Sequence, residues 1–367
     1  MQVALVAGVN PTLAKASGIR SHVLGLGGAL SRLGHEVTIL GSGLTTPTKL
    51  NGGIRFLPVC RASKPSSYQF LASLFRRART VPIGDHVLHV HRPDDLVPFL
   101  IRRDLATRVI TVHGDPRPGI RERHGVAVSS VYSLMEEVAF RAAHRTIVLD
   151  ARTQHDLRGR YPREARRVVR GTGGVDLCRF QVRSRSESRA ALGLLEAPTI
   201  AYVGRLTFEK NLALLLTAFR RIPRAQLVVA GDGTGVPDLR KAIASRSNTF
   251  FLGPVGHDVV PTLLNAADVV ALPSLRESMP AVCLEALACG TPVVATRVGA
   301  LPDLIRSGEN GFLCDAEEEA LSTNLVLALD RSSSMRDACR TSVLAFGWDE
   351  VAKAVVRIYG DAVQDGC

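Results

Sequence analysis

Pro273-Ser274-Leu275-Arg276-Glu277-Ser278-Met279-Pro280-Ala281-Val282-Cys283-Leu284-Glu285-Ala286-Leu287-Ala288-Cys289-Gly290-Thr291-Pro292 is the most informative run in the chain. Pro280 suits the first turn of a helix, and Gly290 with Pro292 suits its end. Short apolar runs stand on either side, at 268–272 and 292–295, so the stretch reads as strand, loop, helix and strand. It places Glu277 in the loop and Glu285 little more than one turn into an otherwise apolar helix. A buried unpaired carboxylate is costly there, and a ligand partner would relieve the cost. Carboxylates accept hydrogen bonds from vicinal hydroxyls, the recurring groups of a ribose and of a hexose.

Working outward, the same alternation recurs along the whole chain. In the first half Val- and Ile-rich runs stand at 3–7, 36–40, 54–59, 86–90, 108–112 and 146–149, and in the second at 199–203, 226–230, 249–252, 268–272 and 292–295. Helical patterns lie between them. This is the signature of parallel strands joined by crossover helices, so the fold class is α/β. A chain of 367 residues is too long for one ordinary core and suits two such domains. The rhythm breaks at 171–188, a Gly/Thr segment followed by an Arg/Ser-rich run, and this is the expected linker. The domains are therefore placed at 1–177 and 178–348, each a doubly wound, Rossmann-like sheet. An interdomain cleft facing the carboxyl ends of the strands is the expected ligand site.

Composition narrows the class of partner. Lys and Arg number 46 against 34 Asp and Glu, a formal net charge of +12, which implies an anionic partner but not its identity. Nucleic acid is disfavoured, since no helix-turn-helix, zinc finger or aromatic-interleaved basic sheet is present and aromatics are only 5% of residues. Seven cysteines, an odd number without a C-x-x-C pair, support neither a disulfide framework nor a zinc site. The chain opens on an apolar strand without a secretory signal, and a cytoplasmic setting is expected. The segment 68–79 joins Tyr68, Phe70 and Phe75 to Arg76, Arg77 and Arg79, as helices lying on the inner face of a membrane do; an ordinary core-packed helix is the competing reading.

Other candidate residues follow strands. Ser17 and Gly18 close the loop after the first strand, where a glycine lets backbone approach a ligand. Gly25, Gly27 and Gly28 lie inside the following helical segment, so this is not the dinucleotide fingerprint. His113 ends the fifth strand at a position suited to hydrogen bonding a hydroxyl or phosphate, whereas His89, His91 and His124 read as ordinary structural histidines. Gly204, Arg205 and Lys210 follow the first strand of the second domain and lead into a helix. Two cations beside a helix N-terminus favour phosphate.

Together, Gly204-Arg205 with Lys210, Glu277 and Glu285 in E-x7-E spacing, and the run 285–294 resemble the retaining GT-B glycosyltransferases of family 4. The likeness extends through Ser17-Gly18, residues 34–37, 89–91, 111–113 and 174–176 to Trp348 and the last helix. It implies a GT-B fold and transfer of a hexose-type sugar from a nucleoside diphosphate sugar, UDP favoured, to a hydroxyl acceptor. On this resemblance Arg205 and Lys210 hold the donor diphosphate and Gly18 approaches it. Glu277 holds a sugar hydroxyl, Glu285 the ribose, and His113 the reacting sugar, with Met279, Ala281 and Val282 completing the donor-binding turn. The final helix, 349–367, would pack on the first domain.

Departures from the family pattern are Ser-Met-Pro after Glu277, where Pro280 cannot donate a backbone N–H, and Ser17-Gly18 in place of paired glycines. The expected reaction retains configuration by a same-face route and needs no metal or other cofactor, since two cations serve the diphosphate and no D-x-D pair is set up to chelate an ion. A sugar-nucleotide epimerase on the same scaffold is the alternative.

Overall fold

The computed structural model describes residues 1–13, 18–105, 107–244 and 246–365. Ser17 lies outside the described residues. The chain divides into two compact units, the first running to Gly174 and resuming at Trp348, the second covering 175–347.

The first unit is built on eight strands: β1 (Gln2–Val6), β2 (Glu36–Ser42), β3 (Thr48–Lys49), β4 (Arg55–Cys60), β5 (Val87–Val90), β6 (Thr107–Val112), β7 (Arg145–Val148) and β8 (Val168–Arg170). Their order is β3-β4-β2-β1-β5-β6-β7-β8, parallel except for β3, which runs antiparallel to β4. The central strands are rich in Val, Leu and Ile because helices cover both faces. Val6, Leu88, Val90, Ile110 and Val148 are buried with Phe70, Leu74 and Phe140 from flanking helices. Successive strands build outward in opposite directions from the β1/β5 junction, the switch point where open sheets bind ligands.

The second unit holds β9 (Thr199–Val203), β10 (Gln226–Ala230), β11 (Thr249–Gly253), β12 (Val269–Leu272), β13 (Val293–Thr296) and β14 (Gly311–Cys314), in the order β11-β10-β9-β12-β13-β14, all parallel. Its switch point lies between β9 and β12. Among the described residues, no helix of either unit is long and apolar enough to cross a membrane.

Three strands escape the apolar pattern: β3 and β8 are two and three residues long, and β14 has four; all three lie at sheet edges. The expected linker also shrinks. Residues Arg185–Ala191 form a helix of the second unit, where Arg189 is buried and donates to Asp268 Oδ2 at 2.6 Å while Arg185 reaches Oδ1 at 2.8 Å. The Arg-rich end of the expected linker is thus an anchored element. The stretch 115–126 enters the helix Arg117–Ala142, kinked at Gly125, where φ is 81°. The final helix, Trp348–Gln364, belongs to the first unit, with Asp349 paired to Arg32 at 2.6 Å.

Candidate functional site

In the second unit the loops after β9 and β12 flank the switch point, and they carry the charged residues singled out above. Gly204 and Arg205 follow β9 directly. The chain then makes a short turn, Phe208–Lys210, and passes through Asn211 in the left-handed region (φ 50°, ψ 43°) into the helix Leu212–Phe219. That turn brings the Lys210 ammonium to 2.5 Å from Glu277 Oε1, which also accepts the Ser274 hydroxyl at 2.8 Å. The pair is largely buried, with 16% of the Lys210 side chain and 9% of that of Glu277 exposed. Arg205 differs: 68% of its side chain is exposed, and it meets Glu209 at 3.3 Å. Both expected phosphate ligands are therefore ion-paired within the unit.

Backbone contacts lock the two loops together. The Leu275 N–H donates to Glu209 O at 2.8 Å, and the Ala300 N–H to Ser278 O at 2.7 Å. Gly299 must be glycine here, because its φ is 57° and a Cβ would stand 2.3 Å from the Glu277 carbonyl oxygen. Tyr202, on β9, donates its hydroxyl to Arg205 O at 2.6 Å. Burial and then the neighbouring Glu277 carboxylate push that hydroxyl far above its ordinary pKa, so it stays a donor. Tyr202 escaped the sequence reading because an aromatic in a strand reads as core.

Pro280 is the residue before the helix Ala281–Ala288 and has no side-chain cap to offer, so the N–H groups of its first turn receive no capping side chain. Met279, Ala281 and Val282 are half-buried around that end. Glu285 lies on the same helix, its Oε1 3.3 Å from His257 Nε2, with 12% of its side chain exposed. His257 had no motif to mark it. The cations Arg205 and Lys210 with the helix end can serve phosphate, and the carboxylates Glu277 and Glu285 can serve hydroxyl groups.

In the first unit Gly18 begins the helix Gly18–Arg32, and a side chain there would meet nothing within 4 Å. His113 follows β6 and is partly exposed, with Nε2 3.0 Å from His91 Nδ1. His91 stacks on His89 at 4.6 Å, and His22, from the helix, stands edge-on to His113 at 4.8 Å. His89 bonds Tyr359 OH at 2.7 Å and Thr111 Oγ1 at 2.6 Å. Burial lowers all four imidazoles, His22 to about 4 and His89 to about 3, with His91 and His113 well below the usual range; for the latter three, mutual repulsion adds to the effect. They are neutral at pH 7. His89 and His91 are expected from sequence as ordinary structural histidines; His89 lies on β5, which pairs with β6, and His91 directly follows it.

On the helix Ser67–Arg77, Phe70 and Leu74 enter the core while Tyr68 and Phe75 remain 44% and 54% exposed beside Arg76 and Arg77. The helix is core-packed with an apolar outer edge.

The chain matches known protein families along both halves. Residues 184–342 match the family model for glycosyl transferases group 1, and residues 16–179 that for glycosyltransferase family 4. A D-inositol 3-phosphate glycosyltransferase of Mycobacterium avium is 36% identical over 206 residues, 52% of this chain and 49% of the relative. That of Mycolicibacterium vanbaalenii is 34% identical over 254 residues, covering 64% and 56%. The matched stretch thus spans about half the length of these relatives. Among solved structures, sucrose-phosphate synthase from Thermosynechococcus elongatus superimposes with a TM-score of 0.85 at 21% identity, over 99% of each chain. Anabaena HepE in complex with UDP and glucose does so with a TM-score of 0.72 at 19% identity, over 97% of this chain and 98% of that one. These likenesses show a shared GT-B fold.

Proposed function

Since the chain belongs to the glycosyltransferases of family 4 and group 1, whose models match its two halves, we propose that it transfers a hexose-type sugar from a nucleoside diphosphate sugar to a hydroxyl of an acceptor, with retention of configuration. The observation that carries this reading is the coupling of Lys210 to Glu277 at the switch point of the second sheet. A cation and a carboxylate held together there offer a diphosphate and a sugar hydroxyl adjacent partners. Arg205, mostly exposed, supplies the second cation, and Glu285, a little over one turn along its helix, accepts from the ribose. Gly204, Met279, Ala281 and Val282 provide the backbone around the phosphates. UDP is the nucleotide to test first, supported by its presence in the complex of the structurally similar HepE.

The first unit takes the acceptor, with open space at Gly18 for a ligand and the neutral His113 imidazole able to hydrogen bond a hydroxyl. In the reaction the bond from the anomeric carbon to the phosphate oxygen breaks as the acceptor oxygen bonds that carbon from the same face. The acceptor proton passes to the departing phosphate oxygen, whose charge Arg205 and Lys210 stabilise. No metal is required at the diphosphate because these two cations neutralise it. The names of the relatives make a phosphorylated polyol the first acceptor to assay. Tyr68 and Phe75 beside Arg76 and Arg77 support peripheral contact with an anionic membrane, and absence of co-sedimentation with anionic vesicles at low salt would remove that element.

The deciding experiment is nucleoside diphosphate release from UDP-sugars by the wild type and by Lys210→Ala and Glu277→Ala. Unchanged activity in both variants would sink the assignment, and UDP affinity that requires added Mg2+ would overturn the metal-free donor site.

A further inference from the structure

In the second unit the loop 254–259 follows β11 and, like the loops after β9 and β12, leaves the carboxyl edge of the sheet. It is closed by a turn in which the Val259 N–H donates to Gly256 O at 3.0 Å, and His257 stands inside that turn. The imidazole packs edge-on against Phe180, itself 1% exposed, with ring centroids 5.5 Å apart. Its Nε2 reaches Glu285 Oε1 at 3.3 Å. Backbone and ring are both held, so the nitrogen is aimed at the carboxylate by packing as well as by charge.

We propose that His257 is a positioning residue for Glu285: its N–H holds Oε1 and leaves Oε2 set for the vicinal hydroxyls of a ribose, which makes the site favour ribonucleotides over deoxyribonucleotides. A carboxylate only accepts, so the imidazole is the donor of the pair. Leu284, Ala286, Leu287 and Ala288 of the same helix are buried, and among the described residues His257 is the side chain that hydrogen bonds Glu285. With 20% and 12% of the two side chains exposed, the pair is shielded from water, unlike the surface ion pairs that contribute almost nothing. Without His257 the torsions of Glu285 would have to be ordered when the nucleotide arrives; with it, that entropy is lost beforehand. Glu277 is held in the same manner, since Lys210 and the Ser274 hydroxyl both donate to its Oε1.

The selectivity rests on the donor reading of Glu285 given above, and the test separates the two. Isothermal titration calorimetry on the full chain compares UDP with 2′,3′-dideoxy-UDP for the wild type, His257→Phe, His257→Gln, Glu285→Ala and the double variant His257→Phe with Glu285→Ala. His257→Phe keeps a ring against Phe180 and removes the donor. It should weaken UDP by about two- to tenfold and leave the dideoxy nucleotide unchanged. His257→Gln retains an N–H of similar reach and should restore most of the UDP affinity. In the Glu285→Ala background the second substitution should have no further effect, a coupling that general damage to the loop would not produce. Circular dichroism identifies a misfolded variant, and His257→Ala replaces His257→Phe if that one fails to fold, with the same expectation. Equal weakening of both nucleotides by the folded variant, or wild-type UDP affinity in it while Glu285→Ala is impaired, overturns the inference alone. Wild-type UDP affinity in Glu285→Ala, or no UDP binding by the wild type, overturns the donor reading and this inference with it.

Discussion

The Lys210 ammonium lies 2.5 Å from Glu277 Oε1, although 67 residues separate the two in the chain. Each charge keeps the other soluble in a largely buried place, and each is positioned for exchange onto a ligand. Lys210→Ala or Glu277→Ala also strands a partner. Sugar transfer should fall by about 10²-fold or more in each. In the double variant the loss should be smaller than the product of the two, because the residues touch. Steady-state release of nucleoside diphosphate measures both, and strict multiplicativity would show that the pair does not act together.

Glu285→Ala should act on binding. Losing a charged hydrogen bond to a ribose costs about 1.5–3 kcal/mol, so the Kd for UDP should rise about 10- to 150-fold. The rate at saturating donor should change much less. Isothermal titration with UDP checks this, and a wild-type Kd would remove Glu285 from the donor site.

Gly25→Ala should destabilise the first unit. A Cβ at Gly25 would stand 2.2 Å from Trp348 Cε2, so the ring would have to move away from the helix Gly18–Arg32. Trp348→Ala should cost about 3 kcal/mol, the low end for such truncations because the ring is partly exposed. Urea unfolding followed by circular dichroism reads both variants. Trp348 is the only tryptophan, so its fluorescence should report displacement of the ring in Gly25→Ala.

Acid should weaken the first unit. In the unfolded chain His22 and His89 titrate near 6.5, whereas in the folded unit burial holds them at about 4 and about 3. The unfolded state therefore binds more protons, and stability falls as pH drops below about 6.5 and continues falling towards 3. Above 6.5 this source contributes no slope. Urea midpoints between pH 8 and 4.5 test it; His89→Gln should flatten the dependence, and an equal slope in that variant would assign the effect elsewhere.

Asp268 should be among the costliest single residues of the second unit. It is 7% exposed, takes Arg185 and Arg189 on its two oxygens, and accepts the Thr199 N–H at 2.7 Å. Asp268→Ala leaves Arg185 without its carboxylate and Arg189 with only the exposed Glu196 at 3.2 Å, and should cost about 3–5 kcal/mol. Denaturant unfolding checks this, and a loss under about 1 kcal/mol would mean that the arginines turn out to solvent.

Much of the fold was legible in the chain because buried parallel strands are written as continuous apolar runs. The eleven expected strands coincide with eleven of the fourteen observed among the described residues, the remainder being edge strands of two to four residues. Carboxylate spacing and helix punctuation around 277–290 located one charged loop for the same local reason: turn, helix start and helix stop are decided by neighbours in sequence. Pairing is not local. Nothing in the runs 204–210 and 273–280 says that Lys210 meets Glu277, since that depends on β9 and β12 being adjacent in the sheet. Nor could His22, His89, His91 and His113 be seen as one group, because a lone histidine carries no period and these stand on three different elements. Sequence alone determined which segments are strands and helices and where charge could face a ligand. Tertiary structure decided which charges neutralise one another and which histidines converge, because those contacts follow from strand order, and strand order is set by the packing of the whole sheet.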